Sequence, residues 1–330
     1  MIVSKTPFRI TLGGGGTDLP SYYKNHGGFI FSFCLDKYMY ICLNRPCADK
    51  LIRLKYSKSE TVENIKELEH EIAKSCLERM EIDSKIEIAS LSDIPAGSGL
   101  GSSSTYTVGL LNSLHALKGE KKNLEYLANE ACIIEMDILQ KPMGKQDQYL
   151  AALGGFVVLE IEKNGDVKSR NIHLSEDRLT ALNSNLLIFY TGKQRLNKGI
   201  LKEQDNSTKS NKEDVLNSLH YIKESGYKIL EIVQSGDIDK LGIMFKEHWE
   251  MKKKLSSGIT NNYFDSIYNT ALENGASGGK ISGAGGGGFF TFYCPKNHQK
   301  LRNSMKDLGL KELEFGFDFN GSEIISSNYR

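Results

Sequence analysis

Ile94-Pro-Ala-Gly-Ser-Gly-Leu-Gly-Ser-Ser-Ser-Thr105 decides how this chain reads. Glycines 97, 99 and 101 alternate and run into three serines. An apolar stripe of helical period follows (Tyr106, Leu110, Leu114, Leu117) and stops at Gly119. Glycine lets a backbone turn through conformations closed to other residues and lets its N–H groups approach a ligand. The start of a helix adds orphan N–H groups and the positive end of a dipole. Together they make an anion site suited to phosphate, built from Pro95, Gly97, Ser98, Gly99, Leu100, Gly101, Ser102, Ser103 and Ser104. The hydroxyls are free to cap the helix or to meet a metal ion. A Gly-rich turn with a serine cap and no ligand is the plainer alternative.

Two common phosphate loops do not fit. The P-loop needs a lysine after its last glycine, and none follows Gly101. The dinucleotide fingerprint needs G-x-G-x-x-G between a strand and a helix. Gly283 to Gly288 has that spacing, but it leads into Phe289-Phe-Thr-Phe-Tyr-Cys294, which reads as a strand.

Outward from the loop, residues 85–90 alternate and form the strand that feeds it. Residues 3–12 alternate too, with Phe8, Ile10 and Leu12 on one face. Residues 28–45 read as two strands turning near Asp36-Lys37, and 60–80 as a charged helix. A further helix covers 123–139. Asn164-Gly165 marks a hairpin between 156–162 and 167–174. Residues 186–190 are a short buried strand. Residues 198–254 are helical with interruptions at Gly226 and Gly236, and 261–274 form another helix. Strand, helix and strand follow at 288–294, 297–308 and 313–319. The fold class is α+β, in two domains at 1–185 and 186–330.

Composition narrows the function. The chain has 330 residues and 39% hydrophobic residues, enough for two cores. A formal net charge of +1 provides no global field toward nucleic acid or an anionic membrane. No apolar run approaches the ~20 residues of a membrane helix, and Met-Ile-Val-Ser-Lys-Thr-Pro lacks a signal-peptide core. Cysteines 34, 42, 47, 76, 132 and 294 form no C-x-x-C pair. They read as reduced thiols of a cytoplasmic protein without structural metal.

Three motifs stand in order: Pro7-Phe-Arg-Ile-Thr-Leu-Gly-Gly-Gly-Gly-Thr-Asp18, the loop above, and Lys280-Ile-Ser-Gly-Ala-Gly-Gly-Gly-Gly288. This set resembles the GHMP kinases over nearly the whole chain. Gly-Gly-Gly-Thr-Asp-Leu-Pro-Ser-Tyr-Tyr, from Gly14 to Tyr23, is most similar to the D-glycero-D-manno-heptose 7-phosphate kinases. The resemblance implies a two-domain GHMP kinase fold with its active site in the interdomain cleft. It implies ATP and Mg2+, and phosphorylation of the anomeric C1 hydroxyl of the heptose phosphate toward nucleotide-activated heptose. It also assigns roles. Asp147 is the catalytic carboxylate, and Arg9 the cation that keeps it ionised. Ser103 and Glu135 hold the metal, with Asp137 a competitor. Asp18 holds sugar hydroxyls, with Gly15, Gly16, Thr17 and Tyr22 or Tyr23 beside it. Gly283 and Gly285 belong to the loop that closes over phosphates and sugar. Gly15-Gly16 stands where galactokinase has a Glu-His pair, which argues against galactose. Lys145 replaces an apolar residue of galactokinase.

One cluster stands apart from the resemblance. Lys193, Arg195 and Lys198 follow a strand end and a Thr191-Gly192 turn, with no acid among them. Arginine grips phosphate bidentately and lysine adds a point charge, so this cluster is a candidate for the substrate's own phosphate. A solvated basic turn is the alternative, and Lys145 the next candidate. Rival functions are an anomeric kinase for fucose, a uronic acid or an acetamido sugar, a mevalonate-type kinase, and an inactive sugar sensor. A homodimer is left open.

Overall fold

The structure is a computed structural model that describes residues 1–193 and 199–328. Among these residues a nine-stranded sheet and a four-stranded sheet carry the fold. In the larger sheet, strand Ile2–Gly13 lies between Gly28–Asn44 and Glu323–Ser327, antiparallel to both. Gly28–Asn44 pairs with Phe156–Ile161 along its first half and with Ile86–Ser92 along its second. Phe156–Ile161 continues into the hairpin with Val167–Asn171, as Asn164-Gly165 predicts. The smaller sheet opens at Leu186–Tyr190, which pairs with Phe289–Tyr293; Gly278–Ile281 lies beyond. Phe31, Phe33 and Phe156 centre one buried cluster, and Trp249, Phe290 and Phe292 centre the other.

Several elements differ from the sequence reading, each for a local reason. Gly28–Asn44 is one strand of 17 residues, with no turn at Asp36-Lys37. The polar pair is accommodated in an irregular register instead. Pro7 pairs with Tyr38 and Arg9 with Cys34, so three residues of the long strand face Phe8 alone. Such a bulge re-aims neighbouring side chains, and Arg9 is the neighbour. Residues 60–80 are not one helix. They form strand Ser59–Val62, a short 3-10 turn, and helix Glu71–Arg79, whose start is capped by the His70 ring. Residues 123–139 form an α-helix, Leu124–Cys132, that widens into a π-helix at Ile133–Ile138.

Gly226 does not interrupt its helix, which runs unbroken from Glu213 to Ser235. The glycine is needed for packing. A Cβ at Gly226 would stand 2.8 Å from Phe29 Cδ1, and one at Gly13 would stand 2.6 Å from Gly226 Cα. Helix and strand backbones cross here at a distance only glycine permits. No helix among the described residues is long and apolar enough to cross a membrane.

Candidate active site

The alternating glycines do what their spacing implies. Gly97, Gly99 and Gly101 have φ of 72°, 81° and 91°, the left-handed region open to glycine. The loop ends at helix Ser102–Leu117, whose first N–H groups face the same space. Ser102 has a buried hydroxyl there with no partner among the described residues. Gly109 lets the helix lie directly on strand Ile2–Gly13, where Ser4 donates to the Gly109 carbonyl at 2.9 Å.

Arg9 reaches the loop from that strand and is 3% exposed. Its Nε and Nη2 lie 2.7 and 2.6 Å from Asp147 Oδ1, and its Nη1 donates to the Gly99 carbonyl at 2.8 Å. One guanidinium therefore fixes the carboxylate and the loop together. Asp147 sits in the first turn of helix Gln146–Leu153, beside Gly101. Asp18 approaches the same helix start. Its carboxylate accepts from the Gly16 N–H at 3.2 Å and the Gln146 N–H at 3.1 Å. Burial raises its pKa to about 6, with Asp147 adding to the rise against those backbone bonds.

The π-helix turns Glu135 inward, where it is fully buried. Ser103 and Ser104 donate to its two oxygens, the latter at 2.7 Å, and Gln148 donates at 2.8 Å. Lys141 lies 3.8 Å away. Burial raises the Glu135 pKa while the serine bonds lower it. No group of three or more His, Cys, Asp or Glu residues suited to a metal occurs among the described residues. One carboxylate with one hydroxyl is nonetheless the sparse donor set that Mg2+ uses alongside phosphate oxygens and water. The residues present fit that ion. Asp137 lines an adjoining cavity instead.

The third motif wedges against the loop. A Cβ at Gly283 would stand 2.5 Å from the Gly99 carbonyl, and one at Gly99 would stand 2.7 Å from the Ser282 carbonyl. These parts enclose a cleft of about 480 Å³, lined by Arg9, Thr11, Gly15, Gly16, Asp18, Gly97, Gly99, Gly101, Ser102, Ser103, Asp147 and Gly283. Ser98, Leu100 and Ser104 are buried beneath it, and Pro95 lies outside. Gly285 packs on Ile259 and does not line it.

Thr17 is a correction. Its hydroxyl donates to the Gly14 and Phe29 carbonyls and accepts from the Phe29 N–H, so it fastens the turn. Tyr22 likewise faces away and bonds His220 at 2.7 Å. Tyr23 and Lys145 line the adjoining cavity, and the Lys145 ammonium donates to the Gly165 carbonyl. Lys193 is exposed, 5.9 Å from the centre of the Tyr263 ring. Arg195 and Lys198 lie outside the described residues.

Beyond the glycines of the third motif, the second half of the chain contributes to the cleft wall buried lysines that no sequence pattern marks. Lys252 donates to the Ile281 and Gly283 carbonyls, each at 2.6 Å. Burial, with Arg9 nearby, pushes its pKa down to about 7. Burial also lowers Lys280, which donates to the Leu12 carbonyl. In sequence these lysines look like any solvated lysine.

Comparison with known proteins agrees with this architecture. Residues 69–155 match the model of the GHMP kinases N terminal domain, and 229–309 that of the GHMP kinases C terminal domain. A D-glycero-alpha-D-manno-heptose 7-phosphate kinase of Campylobacter jejuni is 30% identical, over 97% of each chain. An L-fucokinase/L-fucose-1-P guanylyltransferase of Bacteroides fragilis is 28% identical over 88% of this chain, which spans 34% of that longer protein. The crystal structure of a D-glycero-D-manno-heptose 1-phosphate kinase of Bacteroides thetaiotaomicron superposes with a TM-score of 0.82, at 24% identity and 99% coverage of both chains.

Proposed function

This chain belongs to the GHMP kinases, which are ATP-dependent, and from that premise we propose that it is a sugar-1-kinase for D-glycero-D-manno-heptose 7-phosphate. The product is the 1,7-bisphosphate, an intermediate toward nucleotide-activated heptose for bacterial surface glycans, made in the cytoplasm. The observation that carries the reading is the pairing of buried Arg9 with half-buried Asp147, in one cleft with the phosphate loop and Asp18.

Phosphoryl transfer needs positioning and charge stabilisation more than covalent chemistry. The loop N–H groups cradle the phosphates of ATP. Mg2+, when bound, neutralises phosphate charge, and Ser103 with Glu135 would hold it. Asp18 holds the sugar so that the C1 hydroxyl meets Asp147. Asp147 accepts the hydroxyl proton as the C1 oxygen bonds to the γ-phosphorus. The bond from that phosphorus to the bridging oxygen breaks, and ADP leaves with the electron pair. Arg9 keeps Asp147 aimed while holding the Gly99 carbonyl of the cradle.

The test is ADP release across a panel of free sugars and sugar phosphates. Heptose 7-phosphate should give the highest kcat/KM. The B. fragilis relative makes L-fucose the competitor, and a preference for fucose would displace the heptose reading.

A further inference from the structure

In the same cleft as the catalytic pair, the second half of the chain contributes Gln204 on helix Ile200–Lys209 and His248 and Lys252 on helix Leu241–Lys253. The chemistry above uses none of them. Gln204 is 3% exposed and His248 is 2% exposed. Among the described residues, the Gln204 amide nitrogen and His248 Nδ1 have no hydrogen-bond partner. Burying an unpaired polar group costs ~1–3 kcal/mol. A methionine or leucine of similar shape would avoid that cost, so the packing alone gives no reason for an amide here.

The position of Gln204 supplies the reason. A Cβ at Gly16 would stand 2.8 Å from its amide nitrogen. The Gly16 N–H in turn donates to Asp18. A carboxylate and an amide from opposite halves of the chain thus flank one glycine. One accepts and the other donates. A sugar hydroxyl does both, giving its proton to the first and its lone pair to the second. The missing side chain at Gly16 is what leaves room for the amide.

We propose that Gln204 reads the sugar: it binds hydroxyl oxygen of the polyol substrate across from Asp18, with His248 on the same wall as a second contact, and so sets which sugar the cleft accepts. This rests on the sugar-kinase reading. Burial beside Lys280 and Lys252 holds His248 neutral, so it offers one donor and one acceptor.

The test is Gln204→Met, which keeps the shape and removes the amide. With heptose 7-phosphate and ATP, KM for the sugar phosphate should rise about ten- to a hundredfold. KM for ATP should stay within about twofold, and Tm should be equal or higher because an unpaired amide is gone. Calorimetric titration of the sugar phosphate without ATP should show the same loss of affinity. Unchanged KM and affinity would overturn the proposal. So would a fall in Tm with both KM values rising together, which would make Gln204 a packing residue. The substrate reading fails separately, if the wild-type enzyme releases no ADP with heptose 7-phosphate. The panel sugar that does release ADP then carries the same comparison.

Discussion

At the scale of single residues, two carboxylates in one cleft have different tasks. Asp147 is fixed by Arg9 and faces the loop. Asp147→Asn should fold normally and lose ~10²–10⁴ in kcat, as loss of a general base does; near-normal turnover in the purified variant would remove it from that role. Asp18 is held by backbone donors, and its raised pKa carries a stability cost. The folded state binds a proton there up to about pH 6, the unfolded state only to about pH 4. Between these values the folded state binds more protons, so this group makes stability fall as pH rises. Asp18→Asn loses one acceptor at every pH, a constant offset. Its stability relative to wild type should therefore climb by about 2 kcal/mol from pH 4.5 to 7.5 in urea melts. A flat difference would place the Asp18 pKa in the ordinary range. Arg9, Asp18, Glu135 and Asp147 could be singled out in the sequence because the resemblance to the family marks them. Lys252, His248 and Gln204 were not, because burial alone separates them from solvated residues on polar helices, and burial comes from the tertiary packing.

At the scale of elements, the π-helix matters most. Sequence periodicity from 123 to 139 suggests one regular helix, since a single widened turn barely disturbs an apolar stripe. That turn aims Glu135 at Ser103. Glu135→Gln and Ser103→Ala should each raise the Mg2+ concentration for half-maximal rate, titrated at saturating ATP. An unchanged dependence in both would put the ion elsewhere. Gly226 shows the opposite kind of misreading. A glycine inside a helical pattern suggests a break, yet here it marks a crossing. In an exposed helix Gly→Ala stabilises by ~1 kcal/mol. Gly226→Ala should instead cost about 1–3 kcal/mol, because its methyl meets Phe29. A raised Tm would refute the close crossing.

At the scale of the whole molecule, the cleft is made where two sheets' loops touch. The third motif braces the cleft through its backbone: its glycines let one loop rest on another. Gly283→Ala has φ of 67° to tolerate and the Gly99 carbonyl to avoid. It should raise KM for ATP about tenfold and lower Tm together. A change in the sugar KM alone would mean that the contact does not brace the cradle. The order of three separated motifs made this convergence readable from sequence. The long-range return of strand Glu323–Ser327 to Ile2–Gly13 was not, because its partner lies some 320 residues away and no local pattern encodes it. That return has a consequence for how the protein comes into being. The strand that carries Arg9 is made long before its outer neighbour, which exists only when synthesis has passed residue 323. Until then the first residues of that strand, Ile2 to Lys5, offer unpaired N–H and C=O groups to whatever strand they meet, a standing invitation to mispairing in a crowded cell.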